Sequence, residues 1–221
     1  MHTYEGALHD AQTALSLKPT ASGMLKAYTY VGQAHLALKQ PEQALEASKK
    51  AYDMAVEQRS PSTAGIAQTV LECKKAVWEK RERERVLREQ DTLRNVLEII
   101  QRDAERRKQD GEAGAAQLEG ETERLKREVE EVFAAADKER AKRREVPEWL
   151  VDQISFRVMI DPVVTKNGHS YDRATVLDHL KRSNTDPLTR EPLYESDLRP
   201  NFNLRQASEE FLKENGWAVD W

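Results

Sequence analysis

No proline occurs between Pro61 and Pro147, and within that interval residues 74–145 carry 20 basic and 19 acidic side chains. Proline interrupts helices because it lacks a backbone donor and clashes with the preceding turn, whereas Glu, Lys and Arg are good helix formers. So long a proline-free, near-neutral run predicts long helices with solvated faces and excludes a compact core there. The run also divides the chain. Residues 1–73 hold 6 basic and 7 acidic groups, and residues 146–221 hold 9 and 13, so the net charge of −4 belongs to the C-terminal part. Five of the eight prolines lie from Pro147 to Pro200, the punctuation of a small, loop-rich domain. We therefore expect three domains, 1–73, 74–145 and 146–221.

Only 38% of the residues are apolar and the mean hydropathy is −0.80, too lean for one large core. No segment has the ~20 apolar residues of a membrane span. The absence of a basic excess counts against a nucleic-acid partner, although Arg106-Arg107-Lys108 and Lys142-Arg143-Arg144 form local clusters with acids beside them. One cysteine, Cys73, excludes an internal disulfide and suits a reducing compartment, the cytoplasm or the nucleus. Lying in a predicted helix without a neighbouring histidine in sequence, it is a poor nucleophile candidate.

The first domain repeats itself. Tyr4-Glu5-Gly6-Ala7-Leu8 is echoed 37 positions later by Pro41-Glu42-Gln43-Ala44-Leu45. Small residues recur every three or four positions, which lets helices approach closely. With Tyr28, Val31, Gly32, Ala44 and Ala51 this pattern resembles the tetratricopeptide repeat over residues 1–57, the alternative being an ordinary alanine-rich bundle. The first helix of the earlier unit is missing, so either the chain is truncated or another surface covers that face. A helix over 62–78 is the expected cap at the other end.

The middle domain shows two apolar stripes. Val77, Val86, Leu87, Leu93, Val96, Leu97, Ile99 and Ile100, with Trp78 beside them, make the first; Leu118, Leu125, Val129, Val132 and Phe133 make the second. Gly111, Gly114 and Gly120 break the helix between them. The pattern predicts an antiparallel hairpin that pairs with a second copy; the alternative is a solvated helix held by ion pairs.

In the last domain, Val163-Val164-Thr165 and His169-Ser170-Tyr171 flank Lys166-Asn167-Gly168, a hairpin with Asn-Gly at the turn. Asp172 is placed to cap a helix whose inner face is Val176, Leu177 and Leu180. A loop with Asp186-Pro187 and Glu191-Pro192 leads to a helix over about 204–215, with Leu204, Phe211 and Leu212 inside and Gly216 as a left-handed cap. A unit of this size needs staples. With two histidines and no cysteine in the segment, metal cannot supply them, so no metal and no cofactor is expected and polar side chains must serve.

The run Val146-Pro147-Glu148-Trp149-Leu150, Ile154-Ser155-Phe156, Met159, Asp161-Pro162-Val163-Val164, Gly168, Tyr171-Asp172-Arg173, Asp186-Pro187-Leu188-Thr189-Arg190, Leu193, Pro200-Asn201 and Glu214-Asn215-Gly216-Trp217 resembles the U-box, the zinc-free relative of the RING domain. The order of repeats, charged hairpin and U-box is similar to that of co-chaperone ubiquitin ligases. The fold class is then mainly α, with tetratricopeptide-like repeats and a long helical hairpin followed by a small α+β U-box. The resemblance implies a ubiquitin transferase of protein quality control, working without a covalent intermediate on this chain. Such a transferase is expected to recruit a conjugating enzyme charged with ubiquitin, and the self-pairing hairpin adds the expectation of a homodimer. Ile154, Phe156 and Pro187 are the implied docking residues, and Arg190 the catalytic residue that bridges conjugating enzyme and ubiquitin. Tyr171, Asp172, Arg173 and Asn201 are the implied internal network. Lys26 matches one lysine of the clamp that holds a heat-shock chaperone tail, but the other clamp members are absent, so chaperone binding is expected to be weak. A non-catalytic chaperone-associated scaffold and an assembly factor of the splicing type are the alternatives.

Overall fold

The structure, a computed structural model, describes residues 2–17, 19–111, 114–141 and 145–221. Helices α1 (His2–Ser16), α2 (Ala21–Ala37), α3 (Pro41–Glu57), α4 (Thr63–Gln109) and α5 (Ala115–Ala141) lead into a small region containing β1 (Pro162–Val164), β2 (Ser170–Asp172), α6 (Arg173–Leu180), β3 (Arg199–Pro200) and α7 (Phe202–Glu214). Two units result. One combines Met1–Lys80 with Val146–Trp221; the other is Arg81–Glu145.

In the first unit the turns after α2 and α3 are copies of each other. Lys39 and Arg59 both take left-handed backbone, at φ 59° and 51°. One residue on, the Gln40 and Ser60 N–H groups donate to His35 O and Ala55 O, each at 2.9 Å. A proline follows in both cases, Pro41 at the start of α3 and Pro61 just ahead of α4. Between α2 and α3 the backbones approach closely: a Cβ on Gly32 would lie 2.5 Å from Ser48 Oγ. Ala44, Ala51 and Ala55 are fully buried, so the small-residue spacing of the sequence does serve close helix packing.

The core of this unit crosses the expected domain boundary. Leu25, Tyr52, Ala55, Ile66, Val70 and Leu71 share one cluster with Val146, Leu150, Val158, Ile160, Leu212 and Val219. Each fully buried Leu or Val of this kind contributes about 1.5–3 kcal/mol of transfer free energy. The expected cap over 62–78 is therefore the opening of a longer helix, and the C-terminal domain covers it. Trp78, expected beside the hairpin stripe, packs against Gly216, and its Nε1 donates to Glu214 O at 2.9 Å. Gly216 is not a left-handed cap: it has no positive φ, and it is required because a Cβ there would sit 2.3 Å from Trp78 Cβ.

The sheet runs β2-β1-β3, all antiparallel, with Val163 opposite Tyr171 and Pro200. The hairpin and the Asp172 cap match the sequence reading: Gly168 has φ 85°, and Asp172 accepts from Ala174 N at 3.1 Å. Strand β3, only two residues long, escaped that reading. Behind the sheet, Val163, Tyr171, Val176, Leu193 and Leu198 form a second core with Ile154, Leu177 and Leu180 against it.

In the second unit α5 returns along α4, with Lys126 donating to Gln101 Oε1 at 2.9 Å and Arg107 pairing with Glu121 at 3.6 Å. Gly120 lies inside α5, so the helix break is confined to the region of Gly111 and Gly114. Leu118 is buried, while Leu87, Ile99, Leu125 and Val132 remain exposed. Arg106 pairs with Asp103 at 2.6 Å. The 142–144 cluster lies outside the described residues.

Candidate functional site

Two loops of the C-terminal region follow one plan. In the first, Val151 bridges Val158, Asp152 N donates to Arg157 O (2.8 Å), and Phe156 N donates to Asp152 O (2.8 Å). In the second, Thr185 bridges Pro192, Asp186 N donates to Glu191 O (2.8 Å), and Arg190 N donates to Asp186 O (2.9 Å). The fourth residue after each aspartate is left-handed: Phe156 at φ 56° and Arg190 at φ 65°. Such backbone is strained for residues other than glycine, at about 1–3 kcal/mol each, and persists where surrounding structure over-determines it.

That structure is the buried aspartate. Asp152 and Asp186 are both 0% exposed. Asp152 Oδ2 accepts from Ser155 N (2.9 Å), Ser155 Oγ (2.7 Å) and Thr175 Oγ1 (2.8 Å), while its Oδ1 accepts from Asp172 N (3.0 Å). Asp186 Oδ1 accepts from Tyr171 Oη (2.7 Å), Leu188 N (2.9 Å) and Thr189 N (3.2 Å). Its Oδ2 has no partner among the described residues. Burial alone would raise the Asp186 carboxyl, but the Tyr171 hydroxyl, the two backbone N–H groups and the nearby His169 hold it below the usual carboxylate range. Adjacent residues of β2 thus anchor the two loops, Asp172 through its backbone and Tyr171 through its side chain.

The remaining polar network binds hairpin, helices and loops together. Asp172 accepts from Ile160 N (2.7 Å), Asp161 N (3.2 Å) and Ala174 N (3.1 Å). Its burial pushes the carboxyl up to about 6 despite those bonds. Arg173 Nε donates to Asp161 Oδ2 at 2.6 Å, and Asn201 caps α7 by accepting from Leu204 N at 3.1 Å while donating to Ser170 Oγ at 3.3 Å.

On this frame Ile154 is half-buried against the second core, Phe156 is 70% exposed, Pro187 is half-buried, and Arg190 is exposed. Among the described residues the Arg190 guanidinium has no hydrogen bond or ion pair, which leaves all its donors available to a partner. Gln153 of the first loop and Leu188 of the second line one depression of about 660 Å³ together with Trp149. Leu188 and Trp149 are 59% and 60% exposed, so apolar surface from both residues borders this depression. Sequence reasoning missed Asp152, Leu188 and the role of Asp186. The signal was there: Asp152-Gln153-Ile154-Ser155 and Asp186-Pro187-Leu188-Thr189 share the pattern Asp, any residue, aliphatic, hydroxyl, in which the aspartate caps its own turn. Lys26 is exposed on α2 and has no ion-pair partner among the described residues, apart from the loops altogether.

No three His, Cys, Asp or Glu side chains converge as a metal site among the described residues. Residues 146–217 match the U-box domain family. This segment is a U-box domain. Over 98 residues in the U-box region the chain is 40% identical to the E3 ubiquitin-protein ligase CHIP of Arabidopsis thaliana, covering 44% of this chain and 34% of that protein. The ubiquitin conjugation factor E4 of Schizosaccharomyces pombe is 41% identical over 70 residues, 31% of this chain and 7% of that protein. The E4 ubiquitin-protein ligase UFD2 of Saccharomyces cerevisiae is 35% identical over 79 residues, 35% of this chain and 8% of that protein. The chain spans about a third or less of the length of these curated relatives. In the U-box both loop closures are made by a carboxylate that accepts N–H and O–H groups.

Proposed function

We propose that the protein is a ubiquitin ligase whose U-box recruits a conjugating enzyme already charged with ubiquitin and promotes transfer to a substrate lysine. The observation that carries this reading is the pair of braced loops presenting Ile154, Phe156, Pro187 and Leu188 beside Arg190, whose guanidinium is unpaired among the described residues. An apolar patch gives adhesion, and a fork of guanidinium donors next to it bridges two partners by directed hydrogen bonds. Holding a thioester in one attack-ready arrangement removes orientational freedom from the reaction, a large share of an acyl-transfer barrier. The one cysteine of the sequence is not placed to carry ubiquitin as a thioester. Cys73 is fully buried, its thiol pushed up by that burial, with Ser48 Oγ at 3.5 Å as its polar neighbour. Reconstituted transfer with a panel of conjugating enzymes tests the reading: ubiquitin discharge by wild type and at least tenfold less with Arg190→Ala supports it, and no discharge with any enzyme refutes it.

Three finer features belong to the same reading. The exposed Leu87, Ile99, Leu125 and Val132 of the second unit favour a homodimer through the helical hairpin; light scattering of the full chain should return twice the chain mass at micromolar concentration. The tetratricopeptide-like helices suit a role in quality control, in the cytoplasm or the nucleus. A lone exposed Lys26 holds a carboxylate by only ~0–1 kcal/mol, so chaperone C-terminal peptides should bind weakly or undetectably in calorimetry.

A further inference from the structure

The first U-box loop is braced from outside the U-box, and the second is not. Tyr52 of α3 donates to Asp161 Oδ2 at 3.3 Å. The backbone N–H of Asp161 and that of Ile160 donate to Asp172 Oδ2, and Asp172 N donates to Asp152 Oδ1. Asp152 in turn holds Ser155, between Ile154 and Phe156. Asp161 and Asp172 are each 6% exposed and Asp152 is 0% exposed, so the path is largely shielded from water and its bonds act in a low-dielectric interior. A second brace comes from α4. Gln68 Oε1 accepts from the Arg157 guanidinium, and Arg157 follows Phe156 and closes the loop through its own carbonyl. Val158 and Ile160, just downstream, lie in the core shared with Tyr52, Ile66 and Val70. Asp186 of the second loop is held by Tyr171, Leu188 and Thr189, all within the U-box.

We propose that Tyr52 and Gln68 are positioning residues for the first loop, so that the grip of α3 and α4 on the U-box sets how firmly Ile154 and Phe156 are presented to a conjugating enzyme. The functional half of this inference rests on the ligase reading; the structural half does not. Neither residue belongs to the loop itself, and each acts on it through Asp152 or Arg157.

The test uses the full chain and compares wild type with Tyr52→Phe, Gln68→Ala, the double variant and Gln68→Glu, which keeps an acceptor for Arg157. Amide hydrogen exchange is read at Phe156 in the first loop, at Arg190 in the second and along β1 and β2. We expect about tenfold faster exchange at Phe156 in the double variant, with Arg190 and the strands unchanged and Gln68→Glu close to wild type. Affinity for a conjugating enzyme should fall about three- to tenfold in the double variant, with smaller losses in each single one. Unaltered exchange at Phe156, or equal acceleration in both loops and the strands, overturns the proposal, because the second result is general loosening. If wild type binds no conjugating enzyme, the ligase reading falls, and the exchange comparison still decides whether the helices hold the loop.

Discussion

The two U-box loops share a backbone and differ in how completely their aspartates are satisfied. Asp152 uses both oxygens and reaches β2 and α6, whereas Asp186 uses one oxygen and leaves the other buried without a partner among the described residues. The side chains displayed at the matching left-handed positions also differ, an aromatic ring at Phe156 and a guanidinium at Arg190. One backbone plan, used twice, thus displays an exposed aromatic ring on one loop and an exposed guanidinium on the other. The rigidity is supplied by buried carboxylates, and the displayed side chains are the exposed ones.

Several substitutions would break or sharpen this contrast. The largest effect is expected from Asp152→Ala, which strands Ser155, Thr175 and the Asp172 N–H at once and should lower stability by about 3–5 kcal/mol. Asp186→Ala should lose less, about 2–3 kcal/mol, because fewer donors are stranded. Equal midpoint shifts in urea denaturation would erase the distinction between the loops. Next, Tyr171→Phe removes a donor from Asp186 and should cost about 1–1.5 kcal/mol in the same assay, with the first loop's amide exchange unchanged.

A smaller effect comes from pH, and its sign separates the carboxylates. The Asp172 carboxyl rises from its ordinary 3.8 to about 6 in the folded protein. The folded state therefore holds a proton that the unfolded chain has released, so this contribution is fully present below 3.8 and is lost as pH rises through about 6. Asp186, held below its ordinary range, contributes stability above 3.8 that is lost as pH falls through its folded value. Between pH 5 and pH 7 wild type should lose about 1 kcal/mol that Asp172→Asn does not lose, measured by denaturation at both values. The smallest expected effect is on stability in Phe156→Gly and Arg190→Gly. Each relieves a left-handed side chain and should shift stability by at most about 1 kcal/mol, in the stabilising direction. Both should nevertheless impair ubiquitin transfer, and normal transfer would show that the left-handed residues are not the working surface.

Much of the local structure was legible because its causes are local. Lys166-Asn167-Gly168 between two β-rich triplets forms its hairpin through Gly168, and Asp172 caps α6 through a bond to a residue two positions on. Ile154, Phe156 and Pro187, which the resemblance implies as docking residues, lie on the two loops. The aspartates behind them were harder to see because a buried carboxylate is defined by what surrounds it. Gly216 misled for a related reason: glycine after a helix usually marks a left-handed cap, and here it makes room for an indole 138 positions earlier in the chain.

By itself the sequence determined where helices run, where the hairpin turns, and that no disulfide or cysteine–zinc framework holds the C-terminal domain. These follow from backbone sterics, capping and composition, which act over a few residues. Only the tertiary structure decided that the N-terminal helices and the U-box share one core. Tyr52 meets Asp161 across 109 positions, and Trp78 meets Glu214 across 136. No periodicity encodes such pairings. They depend on which apolar faces are left uncovered once the local elements have formed, and on which buried polar groups can then satisfy one another.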